Sequence, residues 1–305
     1  MSRTASSAPL AVASLPRTPG VYRFRDDRGR AIYIGRATDL RGRVASYWGG
    51  LADRPHLRRM VGQVAGIEAL PCDSVHEAAW LERNLLERAR PRWNRVRGGL
   101  EVPTWIVLEE RRGSARLRVE HLPADPPSES FGPYLGGTRS RLAVAALHRV
   151  VGLAYAGERL SGSERDMARV RGVLPDDRAA RVDLVRRVLS GDGAAMAKVS
   201  ALLDARRDEA VAGLAFEVAG AVEAERPALA WITAPQRVTG VGDDVRIAGW
   251  ADGILVELSV TAGRLDRWRQ RPCDAATARS LVARTPADWA GFAQRAAALA
   301  RALEP

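Results

Sequence analysis

The residues best suited to chemistry lie near the start of the chain. Tyr22, Tyr33, Arg36, Arg43 and Tyr47 all fall within GVYRFRDDRGRAIYIGRATDLRGRVASY, residues 20–47. A phenol with an ordinary pKa of about 10 is ionised to only about one part in a thousand at neutral pH, so a tyrosine base needs cations beside it. Arg36 and Arg43 can supply that charge, and a guanidinium also grips a phosphate through two parallel N–H donors. Phosphodiester hydrolysis asks for such groups: a water to activate, phosphate charge to stabilise and a departing oxygen to assist. The alternatives are that the stretch merely grips nucleic acid, or that the tyrosines are half-buried strand aromatics.

The elements that must position these residues follow from the pattern. Val21, Tyr22 and Phe24 alternate with polar residues, Asp26-Asp27-Arg28-Gly29 carries turn chemistry, and Ala31 to Ile34 is a second apolar run. That predicts a β-hairpin ended by Gly35, with Tyr22 and Tyr33 as neighbours on adjacent strands. Asp39 is placed to cap a helix to about Trp48. Leu57, Met60, Val61 and Val64 predict a second helix over 54–64, Ile67 to Pro71 a third strand, and Ala78, Leu81, Leu85 and Ala89 a helix from Val75 capped by Asp73 or Ser74. Pro91 stops it. The order ββααβα describes a small α/β domain whose third strand joins the hairpin. Glu82 lies on the third helix and Asn94 just past its stop; by themselves they read as a solvated glutamate pairing with an arginine and as a turn residue.

Charge points to the partner. The formal net charge is +11, and residues 1–100 hold 18 arginines against 9 acidic residues, nine of those eleven charges. A basic excess concentrated in one part of a chain is the footprint of a polyanion, nucleic acid ahead of a membrane surface. Compositional bias competes for the total, since Lys198 is the only lysine, but it does not explain the asymmetry. Arg41, Arg58, Arg59, Arg92 and Arg95 are candidate phosphate contacts as a group. Cys72 and Cys273 match no metal or disulfide spacing, and no apolar run has the ~18 residues of a membrane span. A cytoplasmic protein is expected, with Met1 to Ser14 a loose tail.

Further along, strands are predicted at Trp105–Glu109 and Leu117–His121, a surface loop at Pro123–Gly137 and a helix at Arg139–Leu153. Gly157 to Asp177 shows no period. Residues 181–230 read as a helical hairpin turning at Gly191-Asp192-Gly193, and beyond Pro235 three short runs separated by Asp252-Gly253 and Ala262-Gly263 read as a β-meander before an alanine-rich helix broken at Pro286. The expected class is α+β, multidomain, with divisions at 15–100, 101–180, 181–230 and 236–305.

Gly20-Val21-Tyr22 followed by Tyr33-Ile34-Gly35 resembles the signature of the GIY-YIG nucleases, and Arg43, Tyr47, Glu82 and Asn94 follow in the family's order. Pro19, Ser46-Tyr47, Pro91-Arg92-Trp93-Asn94, Phe131-Gly132-Pro133-Tyr134 and Leu214 to Ala219 are similar to the UvrC branch, the nuclease of bacterial nucleotide excision repair. The resemblance implies a metal-dependent DNA endonuclease leaving 5′-phosphate and 3′-hydroxyl ends. In it Tyr22 is the favoured general base with Tyr33 as alternative or hydrogen-bonded partner, Arg36 and Arg43 are cations at the site, and Glu82 is the ligand of one Mg²⁺ or Mn²⁺. Asn94 positions the site, and Tyr47 bonds the substrate or the catalytic tyrosine, or packs on its helix. Many UvrC-like sequences carry lysine where this chain has Arg36.

The resemblance also implies what is altered. Val151 to Asp177 lacks the family's cysteine cluster, so no iron–sulfur cluster is expected. The meander after Pro235 looks like the opening strands of an RNase H-like second nuclease without its aspartate-rich motif, so one nuclease centre is expected. Leu202 to Glu225 resembles the segment through which UvrC contacts UvrB, and its spacing suits self-packing equally. A non-catalytic adaptor binding DNA or a UvrB-like partner is the alternative function.

Overall fold

The computed structural model describes residues 8–49, 55–94, 101–111, 113–158 and 160–304. Two compact units divide the chain, Met1–Leu100 with Pro235–Pro305 and Glu101–Ala234. The first begins with helix α1 (Ala8–Ser14), where a loose tail was expected. Val12 and Leu15 draw it onto the core, both nearly inaccessible to water. Strands β1 (Gly20–Arg25) and β2 (Ala31–Ala37) form the expected hairpin, closed where the Asp26 carboxylate accepts from the backbone N–H of Arg28 and Arg30 at 3.0 and 2.9 Å. β2 runs on through Gly35 rather than ending there. Helix α2 (Leu40–Ala45) starts at Asp39, whose carboxylate accepts from Gly42 N at 2.9 Å. Helix α3 (Pro55–Val61), strand β3 (Gly66–Pro71) and helix α4 (Val75–Arg88) complete this half, with Ser74 as the N-cap of α4. The sheet order is β2-β1-β3, antiparallel throughout.

The middle unit is organised around a second sheet of β4 (Pro103–Arg111), β5 (Ser114–Glu120) and β6 (Glu129–Leu135), in the order β5-β4-β6. β6 occupies the segment read as a loop; its Pro, Ser and Gly content hides an edge strand, where proline is tolerated. Five helices follow: α5 (Gly137–Val151), α6 (Gly162–Val170), α7 (Arg178–Leu189), α8 (Gly193–Ala212) and α9 (Phe216–Thr233). α6 lies in the stretch without a period and is set by a reciprocal capping box between Ser161 and Glu164. The expected separate hairpin over 181–230 gives way to three helices that share one core with the sheet, including Ile106, Leu108, Leu117, Leu147, Val185, Val199 and Leu229. α8 and α9 turn at 213–215, where Leu214 has φ of 53°.

The chain then returns to the first unit. β7 (Val245–Ala251), β8 (Ile254–Thr261) and β9 (Arg264–Pro272) form the expected meander, with Asp252-Gly253 and Ala262-Gly263 at positive φ in its two turns. Helices α10 (Ala275–Val282) and α11 (Ala287–Leu303) follow. This part is not the separate unit expected over 236–305. Leu299 and Leu303 of α11 complete the core holding Tyr22, Phe24, Leu40, Val44 and Met60, and Arg23 donates to Trp268 O at 3.1 Å with its guanidinium 4.0 Å from that indole ring. Local periodicity carries no trace of so distant a pairing. Among the described residues no helix is long and apolar enough to cross a membrane.

Candidate active site

The strand register decides which signature side chains meet. Tyr22 stands opposite Gly35 and Phe24 opposite Tyr33, so all four share one face of the sheet, and Tyr22 and Tyr33 are diagonal rather than direct neighbours. The vacancy at Gly35 is what seats Tyr22: a Cβ there would lie 2.5 Å from the Tyr22 hydroxyl. Gly20 is equally pressed, since its Cβ would lie 2.5 Å from both Leu40 Cδ1 and Leu70 O. Both glycines of the signature are therefore required by close approach.

Helix α2 ends by delivering Tyr47 between the two strand tyrosines. The hydroxyls of Tyr22 and Tyr47 are 2.8 Å apart, and that of Tyr47 donates to Tyr33 at 3.3 Å. Tyr47 donating to Tyr33 leaves Tyr22 to donate to Tyr47, a chain that ends on the Tyr33 oxygen. The direct Tyr22–Tyr33 partnership expected from sequence is thus mediated by Tyr47. Tyr22 is fully buried and Tyr47 is 3% exposed, whereas Tyr33 is partly open to water. Burial, followed by the neighbouring phenols, pushes Tyr22 well above the ordinary tyrosine range. Tyr33 is raised too, by burial first, then Tyr47, with Glu82 adding and Arg43 opposing.

Arg43, exposed on α2, lies over the Tyr47 ring at 5.3 Å, within cation–π range. Burial works against its charge, but the phenol oxygens of Tyr22, Tyr47 and Tyr33 outweigh it and hold its pKa above the ordinary value. Arg36 alternates onto the opposite face from Gly35, where its Nε is 3.3 Å from Glu82 Oε2 on α4. Arg36 and Arg43, with Ala37, Thr38 and Val75, line a cavity of about 260 Å³. Two guanidiniums around one cavity make an anion site of phosphate character.

Asn94 takes a different place from the one its position suggests. Its Oδ1 accepts from Ile34 N at 2.9 Å and its Nδ2 donates to Ile34 O at 2.8 Å, while Trp93 N donates to Ile32 O at 3.1 Å. It clamps the outer edge of β2 between Tyr33 and Gly35, holding the strand rather than facing a reactant. Of the proposed phosphate contacts, Arg58 and Arg59 are exposed on α3, Arg92 lies 5.5 Å from the Trp93 ring, and Arg41 Nε donates to Leu15 O at 2.6 Å. Arg95 lies outside the described residues.

Among the described residues no three His, Cys, Asp or Glu converge as a metal cage. Glu82 is 22% exposed, close enough to Tyr33 to raise its pKa. A lone carboxylate suits a cation that keeps most of its shell as water and phosphate oxygens, as Mg²⁺ does.

Residues 18–95 match the family described as the UvrC-like GIY-YIG domain. The UvrABC system protein C of Geobacter metallireducens is 32% identical over 143 residues, 47% of this chain and 23% of that protein. Its counterpart from Dechloromonas aromatica is 29% identical over 248 residues, 77% of this chain and 40% of that protein. The chain spans about a quarter of the length of the first such relatives, 23%, 24% and 21%. Among solved structures, the magnesium-bound GIY-YIG N-terminal endonuclease domain of UvrC from Thermotoga maritima is 30% identical, covering 30% of this chain and 99% of that one at a TM-score of 0.28.

Proposed function

We propose, from the premise that residues 18–95 form a UvrC-like GIY-YIG domain, that the chain is an endonuclease cutting one DNA strand by phosphodiester hydrolysis. The observation that carries this reading is the hydroxyl chain from Tyr22, which also bonds Arg43, through Tyr47 to Tyr33, the one phenol of the three that water reaches. The fully buried Tyr22, favoured from sequence as the base, is better suited to support.

Tyr33, as its phenolate, takes the proton of the attacking water and becomes a neutral phenol. Before that transfer Tyr47 donates to the charged oxygen of Tyr33, Tyr22 donates to Tyr47 in turn, and Arg43 stabilises both phenolate and phosphate. Arg36 and Arg43 orient the phosphate in their shared cavity. Glu82 is the residue that would hold a single Mg²⁺ or Mn²⁺, whose chemistry when bound is to polarise the phosphate and assist the leaving 3′ oxygen. The products are a 5′-phosphate and a 3′-hydroxyl.

A role in excision repair and a UvrB-like partner belong to the same reading. Leu202 to Glu225 spans the end of α8 and the start of α9, with Leu203 and Val222 in the core. Val211, Leu214 and Phe216 are left 48%, 72% and 66% exposed, which supports docking at this corner. The test is a nicking assay on supercoiled and lesion-bearing duplex with Mg²⁺ or Mn²⁺. Wild-type protein nicks and Glu82→Gln does not; equal signals from both, with DNA binding intact, would establish the non-catalytic adaptor instead.

A further inference from the structure

The β7–β9 meander has two unlike faces. Ile247, Leu258 and Trp268 are buried on one, and at Gly249 on that face a Cβ would lie 2.0 Å from Ala293 O of α11. The other face carries Arg246, Ser259 and Arg267 in one row and Ala248, Glu257 and Arg269 in the next. With Arg284, just beyond α10, these arginines line a cavity of about 740 Å³.

All four arginines are exposed, and among the described residues none has an ion-pair partner. The acidic groups of the same cavity are engaged: Glu257 with Arg271 at 2.9 Å, Asp266 with Arg88 at 2.5 Å, and Asp244 by accepting from Ala262 N at 2.8 Å. Strand geometry sets Arg267 about 7 Å from Arg269 and about 10 Å from Arg246. Like charges held so close repel one another, and a polyanion that neutralises them together relieves that repulsion.

We propose that this face is a second, non-catalytic contact for the phosphate backbone of DNA. The inference rests on the nuclease reading for the identity of the polyanion, and the charge supports DNA over an acidic protein. Residues 1–100 and 235–305 hold 28 arginines against 17 acidic residues, the entire net +11, leaving 101–234 neutral.

The test measures binding of a fluorescein-labelled duplex to the full chain in EDTA, where no cleavage occurs, across a salt series. Replacing Arg246, Arg267, Arg269 and Arg284 together by Gln lowers the slope of log K against log salt by about 3–4. Between about 50 and 200 mM salt the wild type then loses roughly 10²-fold more affinity than the variant. The all-lysine variant keeps the slope, and Arg267→Gln with Arg269→Gln lowers it by about 2, which guards against misfolding of the fourfold variant. An unchanged slope overturns the proposal, as does a loss confined to polyglutamate binding, which would assign the face to an acidic protein. Binding that behaves as expected without nicking would remove the nuclease reading and leave this one standing; nicking with an unchanged slope would do the reverse.

Discussion

Of the three linked phenols, Tyr33 is the one that can meet a water molecule, and in the proposed reaction Tyr22 and Tyr47 act through it. Tyr33→Phe therefore lowers the nicking rate by about 10²–10⁴ with duplex affinity unchanged, the usual range for loss of a general base. Tyr22→Phe removes the end of the chain that bonds Arg43 and lies farthest from the water, and costs less; a larger loss for Tyr22→Phe than for Tyr33→Phe in single-turnover nicking would reverse the assignment. Gly35→Ala tests the seat of the site, because its methyl group meets the Tyr22 hydroxyl at 2.5 Å. Overpacking of this kind costs about 1–3 kcal/mol, so the variant melts lower and nicks more slowly, read by thermal unfolding beside the nicking assay. The two tripeptides were legible in the sequence because the chemistry repeats over a few residues. That Tyr47 bridges the tyrosines was not, since it depends on where α2 brings the chain back, and Asn94 showed its position but not its hold on Ile34.

At the scale of elements, the hairpin, the cap of α4 and the meander follow from alternation and turn chemistry, whereas the segment at 235–238 has no local signature. It lies along α4, where Ser74 Oγ donates to Pro235 O, Trp80 Nε1 donates to Gln236 Oε1 at 3.2 Å, and Asn84 Nδ2 donates to Val238 O at 2.8 Å. Arg237 pairs with Glu77 and, at 2.8 Å, with Asp73, which Arg295 also reaches. Glu77 is 1% exposed, and burial raises its pKa despite Arg237. Arg237→Ala leaves that carboxylate buried without its cation and destabilises the first unit by about 3–5 kcal/mol in denaturant unfolding. Acid dependence follows from Asp73: burial opposes its charge, but Arg237 and Arg295 outweigh it and hold the carboxyl below its ordinary value. A folded-state pKa so depressed gives stability that is present above the unfolded-state value of about 3.9 and lost as pH falls through the folded one. The stability gap between wild type and Asp73→Asn is accordingly full near neutrality and closes in acid; a gap that widened in acid would contradict the ion pairing.

Over the whole molecule, a strand and helix count read along the chain suggests that the last seventy or so residues could detach, since they form a meander and two helices of their own. The core says otherwise. Leu299 and Leu303 lie among the side chains that bury Tyr22 and Phe24, Trp268 covers Arg23, and Arg237 neutralises Glu77. Each leucine is worth about 1.5–3 kcal/mol of burial, and the stranded Glu77 adds about 3–5. Their sum rivals the roughly 5–15 kcal/mol that holds a typical domain folded. A chain ending at Ala234 is therefore expected to lose the cooperative unfolding of its first unit, its nicking activity and the protease resistance of residues 15–94. The unit Glu101–Ala234, whose core contains no residue from the removed part, keeps its own transition. Calorimetry with limited proteolysis separates the outcomes: if the truncated chain still melts in two transitions and nicks duplex, the C-terminal part is an accessory and the shared core contributes far less than its burial implies.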